Sequence, residues 1–128
     1  MPKNKPVFSF MWEGVAVGVN DRYLYRTSKV LNPAYAGFMA DIALRCLVDN
    51  PWPASNPIDK KLFIRWTQVI SAGRDADSLI KPLFDGIEKS GVITNDNKLR
   101  NGSWITIDKK RGQFDRITVS AYLLEDQE

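Results

Sequence analysis

The chain has 128 residues, 44% of them hydrophobic and 26% charged, with a formal net charge of +3. That is the size and balance of one domain able to bury a core, with a mild basic bias suited to a polyanionic partner. It contains no histidine and a single cysteine, which excludes a histidine general base, a histidine-ligated zinc site and an internal disulfide.

Residues 1–6 carry lysines and prolines and are expected to be a loose end, with no apolar run long enough for a signal peptide or a membrane span. A cytoplasmic protein is the expectation, in line with the lone thiol. Val7 to Trp12 reads as a strand, whereas Gly14 to Arg26 lacks a clear period. Asn20, Arg22, Tyr23, Tyr25, Arg26 and Lys29 mix bases with aromatics, a combination suited to phosphate contacts and to stacking on unpaired bases. The same tyrosines would equally suit packing of a surface loop onto the core.

Asn32-Pro33 is a helix entrance, the asparagine as cap and the proline at the first helical position. Tyr35, Phe38, Met39, Ile42 and Cys46 then recur at helical spacing, and the helix should stop by Asn50-Pro51. Cys46 lies on the apolar stripe and is read as core, not as a nucleophile. Residues 52–57 read as a proline-rich loop, and Lys61 to Ile70 reads as a strand.

The strand delivers the chain to Arg74-Asp75-Ala76-Asp77-Ser78-Leu79-Ile80-Lys81, where a helical pattern begins near Ser78 or Leu79. Leu79, Ile80, Leu83, Phe84 and Ile87 form its apolar stripe, with Lys81, Asp85 and Glu88 opposite. Asp75 and Asp77, joined by Asp96, have the chemistry to hold a hard divalent cation, which takes oxygen ligands and few carboxylates. Such a site would serve a phosphodiesterase, with Lys81 neutralising charge that develops on the phosphate. Aspartates ahead of a helix also serve as plain caps, and Asp77 with Lys81 could be an ordinary ion pair. Both readings stay open on spacing alone.

After the helix, Trp104 to Asp108 and Phe114 to Leu124 alternate as strands, with Ile105 and Ile107 expected to share a face with Ile117, Val119, Ala121 and Leu123. The basic turn between them, Lys109, Lys110 and Arg111, is a candidate phosphate grip; residues 125–128 are expected to fray. The expected fold is a single α/β domain over residues 1–128, in the order β-α-β-α-β-β, with two helices packed on a mixed sheet.

The run Asp75-x-Asp77-Ser78-Leu79-x-Lys81-x-x-x-Asp85, followed by Ser90-Gly91-Val92-Ile93 and Asp96, resembles the RusA-type Holliday junction resolvases, or crossover junction endodeoxyribonucleases. A fainter likeness covers Val19 to Tyr23. The resemblance implies a Mg²⁺-dependent endonuclease, with Mn²⁺ as an alternative ion, that cuts four-way DNA junctions as a homodimer in recombination and repair. It implies Asp75, Asp77 and Asp96 as metal ligands and Lys81 as a catalytic lysine, with no small-molecule cofactor and no membrane partner, in a bacterium or its phage. Asn20, Arg22, Tyr23, Arg26, Lys29, Arg74, Lys109, Lys110 and Arg111 are the candidate DNA contacts. Two positions depart from the family pattern: Ser78 stands in place of asparagine, and Asn95 in place of an aspartate. The second removes a negative oxygen, which leaves a DNA-junction-binding protein with weak or lost cleavage as the alternative.

Overall fold

A computed structural model describes residues 5–24, 30–50 and 57–127. Residues 52–56 of the expected proline-rich loop lie outside the described residues. The elements follow the expected order: β1 (Phe8–Gly14), α1 (Pro33–Asp49), β2 (Leu62–Ile70), α2 (Ile80–Ser90), β3 (Leu99–Asp108) and β4 (Asp115–Leu123), with short 3-10 turns at Val19–Asp21, Asp96–Lys98 and Leu124–Gln127. The four strands form one mixed sheet in the order β1-β4-β2-β3. β4 lies antiparallel between β1 and β2, and β2 runs parallel to β3. A parallel pair needs a crossover, and α2 supplies it.

Alternation decides which sheet face is covered. Phe8, Phe10 and Trp12 of β1, Leu62, Ile64, Trp66 and Ile70 of β2, and Ile117, Val119 and Ala121 of β4 all point to one side. There they meet Phe38, Ile42 and Cys46 of α1 and Leu83 and Ile87 of α2. Trp12 packs against Phe38 with ring centres 4.8 Å apart, and Trp66 meets Phe84 edge-on at 5.9 Å. Both helices therefore lie on this face.

One pairing departs from expectation. Ile105 and Ile107 do not join Ile117, Val119 and Ala121: they are 58% and 47% exposed, paired with Thr67 and Val69 on the opposite side. Trp104 takes the inward parity instead and stacks on Trp66, centres 5.2 Å apart and planes 10° from parallel. The strand also begins five residues earlier than its clean alternation suggests, at Leu99. Gly102 interrupts the pattern because the Phe63 ring lies across it, 2.4 Å from where a Cβ would stand.

The end of α1 closes an open sheet edge. Asn32 caps its start, Oδ1 accepting from Ala34 N at 3.0 Å, with Pro33 next, as expected. At its end Asn50 accepts from Ser9 N at 3.2 Å and donates to Ser9 O at 2.6 Å, while Asp49 accepts from Met11 N and Arg45 donates to Met11 O. Side chains of the helix thus satisfy polar groups that an edge strand would otherwise expose. Cys46 is fully buried on this helix, and burial pushes its thiol up to about 11, so it is core.

A short 3-10 turn, Leu124–Gln127, follows β4. Leu124 N bonds Lys61 O at 3.0 Å and Lys60 pairs with Glu125 at 3.3 Å.

The two helices approach closely at Gly86. A Cβ there would stand 2.7 Å from Ile42 Cγ2 and 3.0 Å from Met39 O. Gly86→Val is expected to cost about 3 kcal/mol through overpacking, read as a lower midpoint in urea; an unchanged midpoint would mean the helices are free to separate.

Candidate functional site

The acidic segment leaves the carboxyl end of β2 and enters α2 through a run of backbone turns. Arg74 N bonds Ser71 O, Ser78 N bonds Asp75 O, and Ile80 N bonds Asp77 O. Ser78 is buried, and its hydroxyl donates to Asp75 O at 2.9 Å. The residue at the helix N-cap position is Leu79, which supplies no side-chain cap. Among the described residues, neither Asp75 nor Asp77 accepts a hydrogen bond from an amide of the helix start. Both are exposed, and Lys81, in the first helical turn, pairs with Asp85 at 3.2 Å and not with Asp77. The plain capping reading and the Asp77–Lys81 pair are therefore not what this geometry uses.

A second segment docks onto the loop. Val19 N donates to Ser78 O at 2.9 Å, and Asn20 Nδ2 reaches Asp75 Oδ2 at 3.4 Å. Gly18 permits this approach, since a Cβ there would stand 2.8 Å from Ser78 Oγ. Asn20 is thus brought to the carboxylates. Arg22 lies over the Tyr23 ring at 5.4 Å, and Arg22 O accepts from Asn32 N, which ties this stretch to the start of α1. Arg26 and Lys29 lie outside the described residues.

The basic residues divide into two groups. Asp115 is buried at the start of β4, where Oδ2 accepts from Ala16 N at 2.8 Å and lies 3.6 Å from Arg74, while Lys109 Nζ lies 2.9 Å from Oδ1. Arg74 also donates to Ala16 O at 2.8 Å. Arg74 and Lys109, both candidate DNA contacts, therefore pair with Asp115 while each stays partly exposed. Lys110 and Arg111 are exposed on a tight turn closed by Gln113 and by Gly112 at φ 87. Lys109 N bonds Ile70 O at 2.9 Å, which places this turn at the same end of the sheet as the acidic loop.

The backbone turn that carries Asp96 lies at the opposite end of β2 from the acidic loop. That turn precedes Leu99, which pairs with Leu62 at the beginning of β2, whereas Ala76 O is bonded by Gln68 near the other end. Six strand residues separate those levels, about 20 Å at the usual rise. Among the described residues no group of three or more acidic or cysteine side chains could hold a metal ion. Two exposed carboxylates with oxygens to spare still fit a Mg²⁺-type ion, which commonly takes one or two and fills its shell with water and phosphate oxygens. Asn95 Oδ1 accepts from Asn97 N at 2.9 Å, so its side chain shapes the local turn.

Three residues here escape sequence reading of the site. Gln68 and Asp115 stand at inward positions of otherwise apolar strands, and that parity is the signal that could have found them. Tyr35, on the apolar stripe of α1, is 2% exposed, and its hydroxyl finds no partner among the described residues. Burial, then the negative charge of Asp85, pushes its ionisation up, so it remains a neutral donor.

Among the described residues no helix is long and apolar enough to cross a membrane. No protein-family model matches the chain, and no curated protein matches it.

Proposed function

We propose that the protein is a Mg²⁺-dependent, structure-selective endodeoxyribonuclease that resolves four-way DNA junctions. The observation that carries this reading is the pair Asp75 and Asp77: exposed, two residues apart on a loop held from both sides, and not used to cap the helix that follows. Asp75 and Asp77 would hold the ion, which when bound polarises a phosphodiester and supplies a water nucleophile near neutral pH. Lys81, kept in place by Asp85, offers a positive point charge to the phosphate as negative charge builds on it. Asn20 orients Asp75, while Lys110 and Arg111 approach the backbone from the neighbouring turn.

One chain carries one acidic loop, and a junction needs two cuts, so the working form is a homodimer. Because Asp96 stands at the far end of the sheet in its own chain, it would complete a carboxylate set only beside the loop of a second copy.

A specific observation favours a second reading, junction binding with weak cleavage. Asn95 is neutral and spends its oxygen on the local turn. The test is a labelled synthetic junction beside linear duplex of the same sequence, each with Mg²⁺ and with chelator. Junction-only cleavage that needs Mg²⁺ supports the nuclease. Salt-sensitive junction binding without product in Mg²⁺ or Mn²⁺ supports the second reading, and loss of both sinks the nucleic-acid assignment.

A further inference from the structure

Directly beneath the acidic loop, the apolar face of the sheet contains one buried amide. Gln68 lies on β2 at 0% exposure, in line with Leu62, Ile64, Trp66 and Ile70. Burying an amide is costly unless its polar atoms are satisfied, and here they are. Trp66 Nε1 donates to Gln68 Oε1 at 3.3 Å; Gln68 Nε2 donates to Ala76 O at 2.6 Å and to Thr106 Oγ1 at 3.0 Å. The orientation of the amide is fixed by its neighbours. An indole N–H only donates and a peptide carbonyl only accepts, so a flipped amide would set donor against donor and oxygen against oxygen.

Ala76 stands between Asp75 and Asp77. Its carbonyl belongs to the peptide that leads into Asp77, and the peptide is planar, so anchoring that oxygen sets the direction in which the chain enters Asp77. Val19 and the Ser78 hydroxyl fix the neighbouring peptides at Ser78 O and Asp75 O. Gln68 links this exposed loop to the rigid interior of the sheet at Ala76, between the two carboxylates. We infer that Gln68 is a positioning residue: it holds Asp75 and Asp77 at the mutual geometry that one divalent cation requires. This rests on the metal-dependent reading above.

The experiment measures Mn²⁺ binding by paramagnetic resonance, together with the Mn²⁺ dependence of junction cleavage, for wild type, Asp77→Asn, Gln68→Met and Thr106→Val. Gln68→Met keeps length and bulk but removes the donor. Thr106→Val is nearly isosteric at an exposed edge-strand position, leaves one Gln68 N–H without an acceptor, and remains informative if Gln68→Met does not fold. Removing a group that orients a metal ligand weakens metal binding on the order of 10-fold or more. The Gln68→Met dissociation constant for Mn²⁺ should rise by that factor and that of Thr106→Val by a smaller one. The Mn²⁺ concentration for half-maximal cleavage should rise in parallel, while the rate at saturating Mn²⁺ recovers. A merely structural residue would lower thermal stability without separating those two quantities. Wild-type Mn²⁺ affinity in folded Gln68→Met and Thr106→Val overturns the inference and leaves the metal reading standing. Failure of wild type itself to bind Mn²⁺ any better than Asp77→Asn overturns both.

Discussion

Asp77→Asn should abolish Mg²⁺-dependent junction cleavage while leaving the fold intact. The carboxylate is exposed and accepts no hydrogen bond among the described residues, so its loss should move stability by no more than about 0.5 kcal/mol. Activity depends on it differently. A bound metal contributes several kcal/mol of transition-state stabilisation, and each 1.36 kcal/mol is tenfold in rate, so a fall on the order of 10³ is expected. Junction affinity measured without metal should hold or rise slightly, because a negative charge facing DNA has been removed. Single-turnover cleavage and a gel-shift titration on one preparation give both numbers. Equal cleavage by the variant would return Asp77 to the role of a solvated loop residue.

Asp115→Ala should produce a large loss of stability. Its carboxylate joins three separate segments: Ala16 after β1, Arg74 at the acidic loop, and Lys109 at the basic turn. Arg74 and Lys109 keep about a quarter of their side-chain surface exposed and can turn to water. The dominant cost is therefore the Ala16 N–H left without its acceptor, with the loss of both ion pairs added. Together these come to about 3 kcal/mol, which corresponds to a Tm lower by roughly 15 °C for a domain of this size. Asp115→Asn retains an acceptor for Ala16 and should lose about half as much. Thermal melts followed by circular dichroism decide it. A Tm unchanged in Asp115→Ala would mean that the three segments are held by other contacts.

Local chemistry made much of this fold legible in the sequence. Asn32-Pro33 announces a helix because an asparagine cap and a proline at the first turn both satisfy an exposed helix start, and α1 begins there. β2 is visible through its β-branched and aromatic residues, and the acidic motif falls at its junction with α2 as the pattern implies. β3 is harder to read, since an edge strand has a partner on one side only and few of its positions are buried. Its apolar Ile105 and Ile107 consequently say nothing about which face is core. The site was legible in residue type but not in arrangement. Asn20 reaches Asp75 and Lys81 pairs with Asp85, whereas the turn that carries Asp96 sits at the other end of β2, a separation that no motif spacing encodes. Arg74 and Lys109 look like free cations until Asp115, forty-one residues after one and six after the other, closes on both.

The central claim is most directly tested with a supercoiled plasmid that extrudes a cruciform, incubated with the protein in Mg²⁺. A dimer that makes paired cuts across the junction should convert the plasmid to the linear form in one binding event, with the ends mapping symmetrically to the cruciform base. Only relaxed nicked circles, or plasmid left supercoiled in both Mg²⁺ and Mn²⁺, would contradict the account.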